Sequence, residues 1–478
     1  MWTSARHLTA IQRTNLSRPI QLALADGIVS SATTLFDYGS GRGGDLARLK
    51  AQGIECAGWD PIHCPTEACR AADVVNLGYV INVIEDMTER METLRCAWQL
   101  ARCVLIVSAR LEAEARKGEA LAHQDGYMTR LGTFQKLYQQ HELREWIDTT
   151  LDVSSVSAGP GIVYVFRDEA QRQGYLASRF RRVGCVPRIR SDELFDRHRD
   201  ILQPLLVFLC ERGRLPLKTE IQSAEAIVVA LGSLQRAFSV LRDIIEDAAW
   251  EDARARRTQD LLIYLALARF GHRPRLSELP ADLQADIRAF FTSYQAACEL
   301  ADAMLFAVGD TLLVDQLCRK SKVGKRTPSA LYVHATALSE LDPVLRLYEG
   351  CARMFIGSVE GANIIKLHRG APQISYLAYP DFERDPHPAL HSSLLVPLQS
   401  FRVDTRYYDA SSNPPILHRK EEFVAADHPL RAKFARLTAQ EERYGLYAHP
   451  QRIGTRDGWS AALAERQLAL RGHRVIRL

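Results

Sequence analysis

The sequence is short of the features that mark specialised classes of protein. Its ten cysteines are scattered, with no paired CxxC set, which argues against a zinc ribbon or a disulfide framework. Cys56, Cys64 and Cys69 form the tightest group, with His63 beside them. Zinc sites usually bring two close ligand pairs, and no second pair follows. Free thiols and no metal are therefore expected. No secretory signal pattern and no apolar run of membrane-spanning length is present, so the expected setting is cytoplasmic, away from any membrane. Neither charge dominates. Lys and Arg number 61 against 57 Asp and Glu, a net +4, which permits a nucleic-acid partner without requiring one. What remains is an ordinary globular composition, 47% hydrophobic and 25% charged, over 478 residues. That length suits two or three domains.

The most informative stretch is Leu35-Phe36-Asp37-Tyr38-Gly39-Ser40-Gly41-Arg42-Gly43-Gly44-Asp45. Thr33 to Phe36 reads as a short buried strand, and Leu46, Leu49 and Lys50 begin an amphipathic helix. A strand, a glycine-rich turn and a helix make a site for a nucleotide-like ligand. Glycine lets the backbone pass close to the ligand, and the helix N-terminus offers free N–H groups. The dinucleotide fingerprint is G-x-G-x-x-G. Here the run is Asp37-x-Gly39-x-Gly41-x-Gly43, which resembles motif I of class I S-adenosylmethionine (SAM) methyltransferases. Ile54 to Asp60 reads as the next strand. Asp60 lies about twenty residues on, where a carboxylate can accept ribose hydroxyls. Ala72 to Leu77 is a further strand, Gly78 to Asp86 the start of a helix, and Cys103 to Ser108 another strand. Ser154-Ser155-Val156 and Ile162 to Phe166, joined through Gly159-Pro160-Gly161, fit an antiparallel hairpin closing the sheet. The competing reading is a Rossmann-like domain that uses another nucleotide or none.

Around this core the sequence is less specific. The lead to Val29 carries Arg6, His7, Arg13 and Arg18, then a helix with Ser17 as N-cap and Pro19 in its first turn. Packing on a sheet edge is the preferred role of that helix; the other reading has the basic lead touching substrate or lining the cofactor mouth. Between Asp125 and Leu143, Tyr127 and Arg130 are placed either at a substrate mouth or on a surface loop. A solvated helix from Phe134 to Ile147 follows, with Phe134, Leu137, Tyr138 and Trp146 on its core face. Residues 171–190 form a basic linker with Arg172, Arg179, Arg181, Arg182, Arg188 and Arg190, and with Tyr175 and Phe180 between them. Such interleaving suits a phosphate backbone with stackable bases, although most charge runs are solvated faces. Residues 191–321 have helical periodicity. Residues 322–478 read as an α+β domain with strands at Ile364–Leu367, Ile374–Tyr379 and Leu394–Leu398. Asn413-Pro414-Pro415-Ile416 is close to the Asn-Pro-Pro-aromatic motif of amino-methyltransferases, but lacks the ring and reads as a turn.

Several segments together resemble one family, the DNA phosphorothioation-associated methyltransferases. They are Ser17-Arg18-Pro19, Phe36 to Gly43, Gly58-Trp59-Asp60-Pro61, Val75-Asn76-Leu77-Gly78-Tyr79-Val80-Ile81-Asn82-Val83-Ile84-Glu85-Asp86 and Asn413 to Lys420. The resemblance implies a partner of bacterial DNA sulfur-modification and restriction systems, with DNA or RNA and proteins of such a system as partners. The expected fold is α/β, with a Rossmann-like class I methyltransferase domain over residues 1–170 before the linker, the helical region and the C-terminal domain. SAM is the expected cofactor. Asp37, Tyr38, Gly39, Ser40, Gly41 and Gly43 are expected to cradle its methionine end and Asp60 its ribose. Asn76 would stand beside the sulfonium and the acceptor, with Tyr79 and Asn82 completing the catalytic loop. Nucleic acid is the preferred acceptor. The alternatives are a small-molecule or protein acceptor, or a SAM-binding scaffold that transfers nothing.

Overall fold

The computed structural model describes residues 6–9, 15–112, 121–129, 132–182, 193–244, 247–400 and 402–478. Arg13, Arg130, Arg188 and Arg190, named above, lie outside these, as does Phe401. The chain divides into two compact units: one of Met1–Arg167, Val314–Leu341 and Cys351–Leu478, the other of Asp168–Leu313 and Asp342–Gly350.

The first unit opens with helix α1 (Arg18–Ala25) and then builds a six-stranded sheet. Its parallel strands are β1 (Leu35–Tyr38), β2 (Cys56–Trp59), β3 (Ala72–Gly78) and β4 (Ala101–Ser108). Helix α2 (Gly44–Ala51) joins β1 to β2, and α3 (Met87–Leu100) joins β3 to β4. A small sheet of β5 (Leu121–His123), β6 (Gly126–Met128) and β7 (Phe134–Gln135) precedes α4 (Gln140–Leu151). The hairpin of β8 (Val156–Gly159) and β9 (Ile162–Phe166) then adds antiparallel to β4. The strand order is β2-β1-β3-β4-β9-β8. Central strands buried on both faces read as near-continuous apolar runs, as in Val104 to Val107 and all of β9. The expected Rossmann-like α/β core is thus the one observed, with helical and sheet regions elsewhere. Since β2 lies on one side of β1 and β3 on the other, the order reverses at β1. A crevice opens there at the carboxyl ends of the strands.

Two local readings are corrected. The helix expected from Gly78 begins at Met87, because Tyr79 adopts a left-handed φ of 60° and only a short 3₁₀ turn, Ile81–Val83, follows. Asp86 supplies the N-cap, its side chain accepting from the Glu89 N–H at 2.8 Å. The helix expected from Phe134 begins at Gln140, because Phe134 is a strand residue and Glu142 caps the Gln139 N–H at 3.0 Å.

The rest of the first unit holds a second six-stranded antiparallel sheet in plain chain order, followed by helices Arg431–Arg443 and Arg456–Glu465 and a two-stranded sheet of Leu468–Leu470 with Val475–Arg477. The strands of the six-stranded sheet are β10 (Lys325–Arg326), β11 (Ala330–His334), β12 (Ala362–His368), β13 (Gln373–Ala378), β14 (Ser392–Pro397) and β15 (Asp404–Tyr407). This sheet meets the first at β8, where the Ser358 N–H donates to the Ala158 carbonyl at 2.7 Å. Gly357 is required for that approach: its φ is +78°, and a Cβ there would stand 2.3 Å from the Ala158 carbonyl carbon.

The second unit is helical, with Arg199–Arg212, Asp247–Leu267 and Tyr294–Val308 as its longest helices. The buried Asp286 receives Arg212, Arg214 and Arg257, and the buried Asp260 receives Arg182 and Arg346. A buried carboxylate is tolerable only with such partners.

Candidate functional site

The crevice at the β1/β3 reversal holds a cavity of about 660 Å³, a size typical of cofactor sites. Its floor is the turn after β1. Gly39 has a φ of +86°, and a Cβ on it would lie 2.4 Å from Val80 Cγ2, so any side chain would block the passage from β1 over the β3 loop. Gly41 and Gly43 also take positive φ, 52° and 71°. The Gly39 and Ser40 N–H groups both donate to the Trp59 carbonyl, at 2.8 and 3.0 Å. This ties the turn to the end of β2.

Asp60 completes that tie. One carboxylate oxygen accepts from the Gly41 N–H at 3.0 Å, and the other from the Ile62 and His63 N–H groups at 2.9 and 2.8 Å. The residue expected to hold a ribose therefore also fixes two loops. An ionised carboxylate has about four acceptor positions, so one remains for a ligand hydroxyl.

At the end of β3, Asn76 is only 2% exposed and its Nδ2 donates to Asp37 Oδ1 at 2.8 Å. Because a carboxylate only accepts, this contact fixes the amide and leaves Oδ1 as the free end; that atom is buried without a partner. Tyr79 follows in a left-handed conformation, held by its N–H donating to the Ser108 carbonyl at 2.9 Å. Such a conformation costs a non-glycine residue roughly 1–2 kcal/mol and concentrates at functional sites. Burial pushes the Tyr38 phenol up to about 12, so it stands as a neutral hydroxyl at neutral pH.

Asp37, Tyr38, Gly39, Ser40, Gly41, Asp60, Asn76 and Tyr79 all line the cavity. Gly43 and Asn82 do not. Gly43 caps α2 behind the wall, its N–H donating to the Ser40 carbonyl at 3.0 Å. Asn82 is 1% exposed and joins the loop to β7: its Nδ2 donates to Gln135 Oε1 at 3.1 Å, and its carbonyl accepts from the Lys136 N–H at 2.7 Å.

Ser17, Ile62, His63 and Glu89 also form the wall and were not legible as site residues, whereas Arg6, paired with Glu89, lines it as the second reading of the basic lead allowed. Ser17 does sit at the N-cap of α1, but its hydroxyl caps nothing. Its N–H instead donates to Asp45 at 2.8 Å. Four cavity residues carry buried side-chain atoms without a partner: Ser17 Oγ, Ser40 Oγ, His63 Nε2 and Asn76 Oδ1. Buried polar groups are rarely left so. These atoms lie buried within the wall, behind the cavity surface, while Asp37 and Asp60 line the cavity as carboxylates suited to the amino and ribose groups of SAM.

The remaining candidates stand elsewhere. Tyr127 is 40% exposed and does not line the cavity. Asn413 accepts from the Asp457 N–H at 2.9 Å and the Pro415 carbonyl accepts from the Leu390 N–H at 2.8 Å, so this segment works as a structural turn. In the basic linker, Arg172 pairs with Glu169 and Arg182 with Asp260.

No family model matches the sequence, and no curated protein sequence matches it. Solved structures similar to part of the chain are methyltransferases. The sugar N-methyltransferase KedS8 from Streptoalloteichus sp ATCC 53650 is 12% identical, with 31% of this chain and 84% of that one covered at a TM-score of 0.25. The Burkholderia thailandensis 1,6-didemethyltoxoflavin-N1-methyltransferase, with bound 1,6-didemethyltoxoflavin and S-adenosylhomocysteine, is 13% identical, with 31% and 79% covered at 0.24. SAM-bound CalS10, an amino pentose methyltransferase from Micromonospora echinaspora, is 12% identical, with 31% and 88% covered at 0.22. At these scores the likenesses carry no weight for cofactor or substrate.

Proposed function

We propose that the chain is a SAM-dependent methyltransferase whose cofactor occupies the β1/β3 cavity. The observation that carries this reading is the cavity at the strand-order reversal, floored by the glycine turn and lined by both Asp37 and Asp60. Asp37 would hold the cationic amino end, and Asp60 would accept a ribose hydroxyl. When bound, the cofactor supplies an electrophilic methyl group on a sulfonium.

The chain's own part is positional. The acceptor must lie in line with the methyl group, and orientation alone can lower a barrier by about 7–11 kcal/mol. Asn76, fixed by Asp37, lines the cavity and would help orient an acceptor amine there. Tyr79 bounds the same end of the cavity. Asn82 supports that loop from outside.

We assign nucleic acid as the acceptor class, in a bacterial DNA sulfur-modification context and with proteins of such a system as partners. This rests on the sequence resemblance. A small-molecule or protein acceptor is the second reading. It is favoured by the internal pairing of Arg172 and Arg182, which removes part of the basic surface that composition suggested. The test is transfer of labelled methyl from SAM to DNA, tRNA, protein and small-molecule fractions of a bacterial extract. Label in DNA or RNA supports the assignment, and label only in another fraction selects the second reading. Saturable SAM binding with no label in any fraction identifies a scaffold.

A further inference from the structure

We infer that the basic edge of the second sheet docks the phosphate backbone of duplex DNA; this rests on the nucleic-acid reading above. Five of the eight residues 319–326 are Lys or Arg, and no Asp or Glu occurs between Asp315 and Glu340. The run leaves the end of a helix (Thr311–Lys320), turns over residues 321–324 and enters the edge strand β10. Ser321 Oγ donates to the Val323 carbonyl at 2.7 Å, which fixes the turn with Lys322 exposed on it. Gly324 is required for the close approach to β11. Its φ is +88°, and a Cβ there would stand 2.7 Å from the Tyr332 carbonyl oxygen.

Directly paired residues share one face of a sheet. Lys325 pairs with Tyr332, Tyr332 with Lys366, and Lys366 with Ser375, so two lysines flank a tyrosine in one row. Part of the charge is neutralised within the fold: Arg319 meets Asp315 at 2.8 Å, and Lys325 lies 3.9 Å from Glu422. Lys320, Lys322, Arg326 and Lys366 have no carboxylate within ion-pair distance among the described residues. The first three are exposed. Unpaired cations held on a rigid edge suit a polyanion. A single strand would also want open aromatic faces for its bases. The rings here are taken. Tyr332 lies edge-on to Phe423 at 6.4 Å, with Lys366 Nζ over the first ring and Lys325 Nζ over the second, each at 5.4 Å. A duplex presents its phosphates and needs only the cations.

The experiment follows fluorescence anisotropy of a labelled DNA duplex of about 20 base pairs with the full chain, at about 50 to 200 mM salt. In the variant Lys320→Ala/Lys322→Ala/Arg326→Ala, the slope of log affinity against log salt should become shallower by about two to three, since each lost phosphate contact removes about 0.9. Lys366→Gln alone should remove about one. A control with the same change of charge on exposed residues of the helical unit, Lys218→Ala/Arg236→Ala/Arg242→Ala, should keep the slope within about 0.5 of the wild type. Thermal unfolding checks that each variant folds. Equal slopes in the wild type and the first variant overturn the docking role, as does an equal loss in the control; both leave nucleic acid standing as acceptor. Binding of tRNA or single strands without saturable binding of the duplex overturns the assignment to duplex DNA. If the wild type binds no nucleic acid and methyl label from SAM enters none, the nucleic-acid reading fails, and this inference falls with it.

Discussion

At the scale of single residues, the site combines ordinary side chains with one costly backbone. Tyr79 takes φ 60° directly after β3. Glycine would adopt that conformation without the penalty of about 1 kcal/mol or more. Tyr79→Gly is therefore expected to leave the melting temperature level or slightly raised, while methyl transfer falls at least about tenfold, as a positioning contact worth about 1.4 kcal/mol would require. A fall in stability together with unchanged turnover would contradict this. The residues of the glycine turn, Asp60 and Asn76 were legible because their chemistry is bound to a strand–turn–helix spacing. Ser17 and His63 were not. A serine before a helix and a histidine near cysteines have commoner explanations, and only the fold brings the two residues to the same cavity wall.

At the scale of elements, the loop from Tyr79 to Asp86 is held in place by α3. Arg90, 1% exposed, donates through Nε and Nη2 to the Ile84 carbonyl at 3.1 and 2.9 Å. Its Nη1 meets Asp125 at 2.7 Å, an interaction that holds the Asp125 carboxyl below its ordinary range. Arg90→Met would leave that carbonyl and that carboxylate unpaired. Breaking a buried pair costs about 3–5 kcal/mol, and the partial exposure of Asp125, 31%, moves the expectation to about 2–3 kcal/mol. Denaturant unfolding checks this; a loss below about 0.5 kcal/mol, the range of ordinary surface changes, would refute the role. The strands were read from sequence because buried apolar runs are local signals. The helix starts at Met87 and Gln140 were missed. Apolar spacing continued upstream of both, while the events that set them, a left-handed Tyr79 and a strand at Phe134, depend on tertiary contacts.

At the scale of the whole molecule, the C-terminal part of the first unit carries buried and half-buried histidines. Burial lowers His334, His368 and His473 to about 4 and His418 to about 3. In the unfolded chain these rings titrate near 6.5. Between the two values the unfolded state binds more protons, so stability falls as pH drops from about 6.5 toward 4. Lys420, lowered to about 7 by burial, acts in the same sense at higher pH: stability rises from about 7 toward 10.5 as the unfolded amine alone remains protonated. Glu421, whose carboxyl burial pushes up, works in the opposite sense near its own range. Denaturation midpoints at pH 4.5, 6.5 and 8.5, roughly spanning these windows, should climb in that order. A flat or inverted series would contradict the account. The helical region was legible as helices, but the pairing of Asp260 with Arg182 and Arg346 was not, because it joins residues far apart in sequence.

The central claim is that the β1/β3 cavity binds SAM through its carboxylate end. Its most direct test is calorimetric titration of SAM into the full-length chain and into Asp37→Asn. This substitution keeps the shape and the bond from Asn76 but removes the charge. One saturable site in the wild type is predicted, weakened about tenfold or more in the variant by loss of a charge-assisted hydrogen bond. Absence of saturable binding to the wild type, or equal affinity in both proteins, would contradict it.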